Sequence, residues 1–189
     1  MSDLILEIYR SPQTVFSLKD LALLIGESSK STLKAKANYY VKKGDILGLR
    51  KGVYAKEKYN PLELANKIYT PSYISLETVL QTSGIIFQYY KTIFAISYLS
   101  REIKIKNMVV RYRKIKNEIL CHPLGLENKK GASIATSERA FLDTLYLYGS
   151  YHFDKLDILD KEKVFSLLEN VYKSKKLDKQ AKELLKNAG

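Results

Sequence analysis

The sequence predicts an α+β protein in two parts. Three observations carry that expectation. Three consecutive segments before residue 44 place apolar residues at helical spacing; two short β-prone runs flank Arg50, Lys51 and Gly52; and period-two alternation near residue 103 precedes an amphipathic helical tail.

In order along the chain, Leu4, Ile5, Ile8 and Tyr9 form the first periodic segment. Pro12 ends it, because the residue before a proline is driven out of the helical region. Ser17 is a good N-cap for a helix over 18–25, where Leu18, Leu21, Ala22 and Ile25 make one apolar stripe and Gly26 supplies the stop. A third helix runs to about Lys43, with Leu33, Ala37, Tyr40 and Val41 on one face and Gly44 at its end. Strands over 46–49 and 53–55 then enclose a tight basic turn. Three helices followed by a basic hairpin is the order of a winged helix-turn-helix, expected here over 1–58.

The second part, 59–189, reads as a mixed α/β domain with a small antiparallel sheet and C-terminal helices. Asn60 and Pro61 suit the N-cap and first position of a helix over 62–68. Residues 70–83 begin extended and become a helix opened by Ser75 and closed by Gly84. Residues 93–98 and 103–120 are strand-rich, and 102–106 alternate apolar with charged. Ser137 is expected to cap a helix over 138–148, and 161–187 carries apolar residues at helical spacing for one or two more. Tyr9, Tyr40, Tyr112 and Tyr146 fall on apolar faces and are expected in the core.

The net charge of +12 is concentrated. Residues 29–58 hold nine basic and two acidic groups, and residues 91–116 hold eight and one, so the rest of the chain is slightly acidic. Lysine and arginine gain by displacing counterions from phosphates, which points to a nucleic-acid partner. The single cysteine, Cys121, excludes an internal disulfide, and no run of about 18 apolar residues occurs. A cytoplasmic protein with no membrane partner is expected.

On the third helix, the face opposite the apolar stripe presents Ser31, Thr32, Ala35, Asn38, Tyr39 and Lys42, suited to a major groove. Asn pairs with adenine, Ser and Thr bond donors or acceptors, and Ala touches a thymine methyl. Lys30, Lys34, Lys36 and Lys43 flank that face for phosphates, and Arg50 and Lys51 sit at the hairpin tip. A second basic surface is expected from Lys104, Lys106, Arg111, Arg113, Lys114 and Lys116. It is either the wet side of a sheet or a further nucleic-acid or partner-binding face.

Catalytic signals are thin, and the protein is expected not to be an enzyme. His152, Asp154, Asp157 and Asp160 have the types for a metal cluster but the spacing of caps and dipole partners. Arg139 and Asp143, four apart, read as a salt bridge. His122 beside Cys121 lacks a second ligand pair, and no phosphate-binding glycine motif occurs, so neither metal nor cofactor is expected. A metal-dependent nuclease and an RNA-binding module with stacking tyrosines are the other classes open to this composition.

Four segments in order, LRKGVYA (49–55), YNPLELA (59–65), PSYISLETVLQTSGI (71–85) and ATSERAFLDTLY (135–146), resemble the AbiE-type antitoxin family of bacterial type IV toxin-antitoxin and phage abortive-infection systems. The resemblance implies an N-terminal winged helix that binds and represses its own promoter; on inverted repeats two copies must sit on one face of the duplex, so a dimer or a pair of cooperating monomers is expected. It also implies a C-terminal antitoxin-like domain that counteracts a nucleotidyltransferase-fold toxin without forming a stable complex with it. The hairpin match carries a DNA-binding role to Arg50, Lys51 and Gly52; the other matched segments read as structural.

Overall fold

Local capping chemistry sets the first three helices of the computed structural model, which describes residues 3–186. The Asp3 carboxylate accepts from the Ile5 amide at the start of α1 (Leu4–Arg10). Ser17 and Asp20 form a capping box at α2 (Leu18–Ile25), and Ser29 caps α3 (Lys30–Lys43). Each cap satisfies an amide that has no partner inside its helix, stabilising by about 1 kcal/mol.

A strand that sequence periodicity did not reveal lies between the first two helices. β1 (Val15–Ser17) pairs antiparallel with β3 (Val53–Ala55), which pairs antiparallel with β2 (Leu47–Arg50). Three residues are too few to display a period of two. Ile8, Phe16, Leu21, Leu33, Ala37, Ile46 and Tyr54 close the core beneath this sheet, each large side chain contributing about 1.5–3 kcal/mol by burial. Tyr9 departs from expectation. The residue is 53% exposed, and its hydroxyl donates to the Asp45 carbonyl at 2.8 Å.

Asn60 caps α4 (Pro61–Ile68) by accepting from the Leu62 amide. Glu63 on this helix is fully buried, and its carboxylate accepts from the Thr14 amide, the Thr14 hydroxyl at 2.6 Å and the Val15 amide. α4 thereby fastens the start of β1. The first compact unit accordingly runs to Ile68 and also takes in Lys130–Ala132, so its boundary lies ten residues beyond position 58. Within it the Asn60 side-chain amide donates to the Lys130 carbonyl, and Gly131 lies against Glu63, where a Cβ would come within 3.2 Å.

The second unit comprises Tyr69–Lys129 and the described residues from Ser133 onward. Its elements are β4 (Ser72–Ile74), α5 (Glu77–Thr82), β5 (Ile93–Ser97), β6 (Arg101–Ile105), β7 (Met108–Lys114), α6 (Asn117–Leu120), β8 (Leu126–Lys129), β9 (Ala132–Ala135, in this unit from Ser133), α7 (Ser137–Tyr148), α8 (Lys161–Leu167) and α9 (Lys175–Lys186), with a π turn, Leu168–Tyr172, after α8. The expected small antiparallel sheet is instead six-stranded and mixed, in the order β6-β7-β5-β4-β9-β8. β4 and β5 are antiparallel, as are β6 and β7, whereas β7 inserts beside β5 in parallel and β9 runs parallel to β4. Alternation identifies a strand but not its neighbour, and the polar run before β9 concealed the last two strands.

Two expected caps are corrected. Thr136, one residue earlier than Ser137, caps α7 by accepting from the Arg139 amide. Ser75 does not cap α5. Its hydroxyl donates inward to Asp143, and the strand turns into α5 through Leu76 at φ 54°, ψ −140°, without a side-chain cap. α7 is buried continuously from Glu138 to Leu145 and packs against α5, α8 and α9, making it the axis of this unit. Tyr112 lies in the core as expected, and Tyr40 and Tyr146 are half-buried. Asn187, the last residue of the expected tail, lies outside the described residues.

Candidate nucleic-acid interface

With Leu33 and Ala37 buried, helical geometry turns Lys30, Ser31, Lys34, Ala35, Asn38, Tyr39, Lys42 and Lys43 to the surface of the first unit; Thr32 and Lys36 are half-buried. Lys30, Lys34 and Lys42 enter no ion pair among the described residues, whereas Lys43 pairs with Asp45 at 3.3 Å. Tyr39 is 61% exposed and stands edge-on to Tyr40. The Tyr40 hydroxyl donates to Asp3 at 2.6 Å, and that bond pushes its pKa up to about 12, fixing the neighbouring ring as a protonated phenol.

Three groups on the expected reading face already have partners. The Ser31 and Thr32 hydroxyls lie 3.0 and 2.9 Å from Ser29 Oγ, within the cap cluster of α3. Asn38 Oδ1 accepts a long 3.4 Å bond from the Tyr54 hydroxyl, which leaves its second lone pair and the NH2 donors for a bidentate adenine pair. Sequence reasoning missed Tyr54 as an orienting residue because it reads as an ordinary strand aromatic.

The basic turn follows from Gly52. Its φ of 76° is a conformation open to glycine at little cost, and its carbonyl accepts from the Leu18 amide, tying the turn to the start of α2. A register shift between Gly48 and Arg50 bends β2 into the turn, leaving Arg50 and Lys51 exposed. Glu63 was the larger omission. Nothing in its spacing marks it, yet Glu63 turns inward, while Lys67, four residues later, binds Asp20 at 2.9 Å. Burial raises the Asp20 pKa, and hydrogen bonds from Ser17 and Lys67 outweigh it, leaving this carboxyl below its usual value.

In the second unit the β pleat divides the six basic residues expected to share a surface. Lys104, Arg111 and Arg113 share one face with Phe94 and Glu102. Lys106 occupies the turn after β6 at φ 51°, Lys114 has the opposite parity, and Lys116 precedes α6. The two arginines are also engaged locally. Arg111 binds Glu102 through two nitrogens at 2.8 and 2.7 Å and lies 5.6 Å from the Phe94 ring centre, and Arg113 stacks 4.9 Å from Tyr148. Burial lifts the Glu77 carboxyl above its usual range despite a Tyr148 hydrogen bond, and burial with the Glu77 charge pushes Tyr148 up to about 12.

The expected Arg139–Asp143 salt bridge is not direct. Both side chains are fully buried, and the Tyr73 hydroxyl links them, accepting from Arg139 at 3.3 Å and donating to Asp143 at 3.2 Å. Arg139 also donates to the carbonyls of Ile119, His122 and Leu124, while Asp143 accepts from Ser75 and Tyr172. The three aspartates near His152 separate. Asp160 caps α8, Asp154 accepts from the Phe87 amide, and Asp157 lies beside Lys155. Among the described residues no group of three His, Cys, Asp or Glu side chains is arranged to hold a metal ion, and no helix is long and apolar enough to cross a membrane. Compared with protein-family models and with curated proteins, the chain matches none.

Proposed function

We propose that the first unit is a winged helix-turn-helix that binds duplex DNA, and that the protein represses the promoter of its own operon as an AbiE-type antitoxin. The observation that carries this reading is the joint exposure of α3's basic face and the Arg50–Lys51 turn, with Lys30, Lys34, Lys42 and Lys51 left without acidic partners among the described residues. The helix order and three-stranded sheet suit the geometry in which α3 enters the major groove and the β2–β3 turn reaches the adjacent backbone. In that pose Asn38 and Tyr39 contact base edges, and the lysines contact phosphates.

The antitoxin half rests on the family resemblance. Three of its segments coincide with the residues that hold each unit together: Glu63 in the first unit, Ser75 and Leu76 at the turn into α5, and Arg139 with Asp143 on α7. On this reading the second unit counteracts a nucleotidyltransferase-fold toxin without a lasting complex.

The test of the DNA reading is fluorescence anisotropy on duplex from upstream of the gene against scrambled duplex. A preference of about 10³-fold or more for the upstream duplex, lost in Asn38→Ala/Tyr39→Ala, is the expected result. Equal affinity for both duplexes would remove sequence-specific repression. Co-expression with the toxin encoded beside the gene tests the second half, and unrelieved growth arrest would count against it.

A further inference from the structure

The second unit contains a cavity of about 580 Å³ between α6, the loop after it and the π turn. This is within the range of about 300–1,000 Å³ usual for small-molecule sites. Its lining brings together two lysines from distant parts of the sequence, Lys116 and Lys173, neither of them paired with an acid among the described residues, against the single carboxylate of Glu118. His122 adds a donor. Its Nδ1 accepts from the Leu124 amide at 3.2 Å, so in the neutral ring the proton sits on Nε2. Tyr146 and Tyr172, tilted rings 5.9 Å apart, supply an aromatic wall.

Both sides of the cavity hang from the buried network on α7. Arg139 holds the carbonyls of Ile119 and His122 on one side, and Asp143 accepts from the Tyr172 hydroxyl at 2.7 Å on the other. The backbone is irregular where it borders the cavity. α8 runs on into the π turn, a form frequent at functional sites, and Lys173 closes it at φ 49° and ψ 39°, a left-handed conformation unusual for lysine.

We propose that this cavity binds a nucleoside phosphate, with the phosphate between Lys116 and Lys173 and the base against Tyr146. Cations and a ring-nitrogen donor suit phosphate oxygens, and a tyrosine face suits a base. The inference is independent of DNA binding by the first unit.

The experiment is calorimetric titration of the full chain with AMP, with GMP and with inorganic phosphate. Saturable one-to-one binding of a mononucleotide is expected, about tenfold or more tighter than inorganic phosphate, because the base adds its own contacts. Lys116→Ala and Lys173→Ala, both exposed positions, are each expected to weaken it about tenfold, as loss of a charge-assisted contact does. Lys104→Ala, elsewhere on the unit, leaves it unchanged. No saturable binding up to about 10 mM, equal affinity for phosphate and nucleotide, or binding indifferent to both lysines would overturn the proposal.

Discussion

The two basic segments carry similar charge, but the fold surrounds them differently. On α3 and its neighbouring turn, Lys30, Lys34, Lys42 and Lys51 face outward without acidic partners among the described residues. On the β6–β7 sheet face, Arg111 is held by Glu102 and by the Phe94 ring, and Arg113 by Tyr148. A helix collects cations spaced three and four apart on one side, whereas a strand sends successive residues to opposite faces. Equal charge in sequence therefore becomes a concentrated surface in one unit and a divided, partly neutralised one in the other.

The largest expected effect contrasts buried and exposed cations. Arg139→Met preserves much of the side-chain bulk but removes the donors to three carbonyls and the compensation for Asp143. The expected loss is about 3–5 kcal/mol, read as a lower urea midpoint. Lys34→Ala is expected to move the same midpoint by less than about 0.5 kcal/mol; a comparable loss would mean that α3's lysines are structural.

Glu63→Ala comes next. It leaves the amides of Thr14 and Val15 without their acceptor, and a loss of about 2–3 kcal/mol is expected. Because Glu63 fastens β1, duplex binding should weaken along with stability. Unchanged stability would remove Glu63 as the anchor of the first unit.

Acid titration separates the units with a smaller effect. Asp20 has a lowered folded pKa, so its contribution is present above the usual value of 3.8 and is lost as pH falls through the lower folded value. Burial raises Asp143, although Arg139 and the Tyr172, Ser75 and Tyr73 hydroxyls oppose it. Its contribution is therefore present below 3.8 and is lost as pH rises through the raised value. Asp20→Asn should flatten the acid limb of the stability profile below about pH 4. An unchanged limb would mean that the Ser17 and Lys67 contacts do not hold that carboxylate.

Much of the first unit was legible because its signals are local. Ser17, Gly26, Gly44 and Asn60 mark helix ends within a residue or so of where they fall, and the stripe of Leu33 and Ala37 fixes which side of α3 is outside. What was hidden depends on distant partners. Glu63 meets Thr14 across 49 positions, Asp143 meets Ser75 across 68, and β7 lies beside β5 with β6 beyond it. No spacing rule reports such pairings. The same reason explains Lys116, which belongs to a basic run in sequence and to the wall of a cavity in the fold.

The most direct test of the contrast between the segments is the salt dependence of duplex binding, measured for Lys34→Ala/Lys42→Ala/Lys51→Ala beside Lys104→Ala/Arg111→Gln/Arg113→Gln. Each phosphate contact contributes about 0.9 to the slope of log affinity against log salt. The first triple variant is predicted to lower that slope by roughly 2–3, and the second to leave it unchanged. A slope that falls with the second set and not with the first would contradict the account, moving the nucleic-acid interface to the other unit.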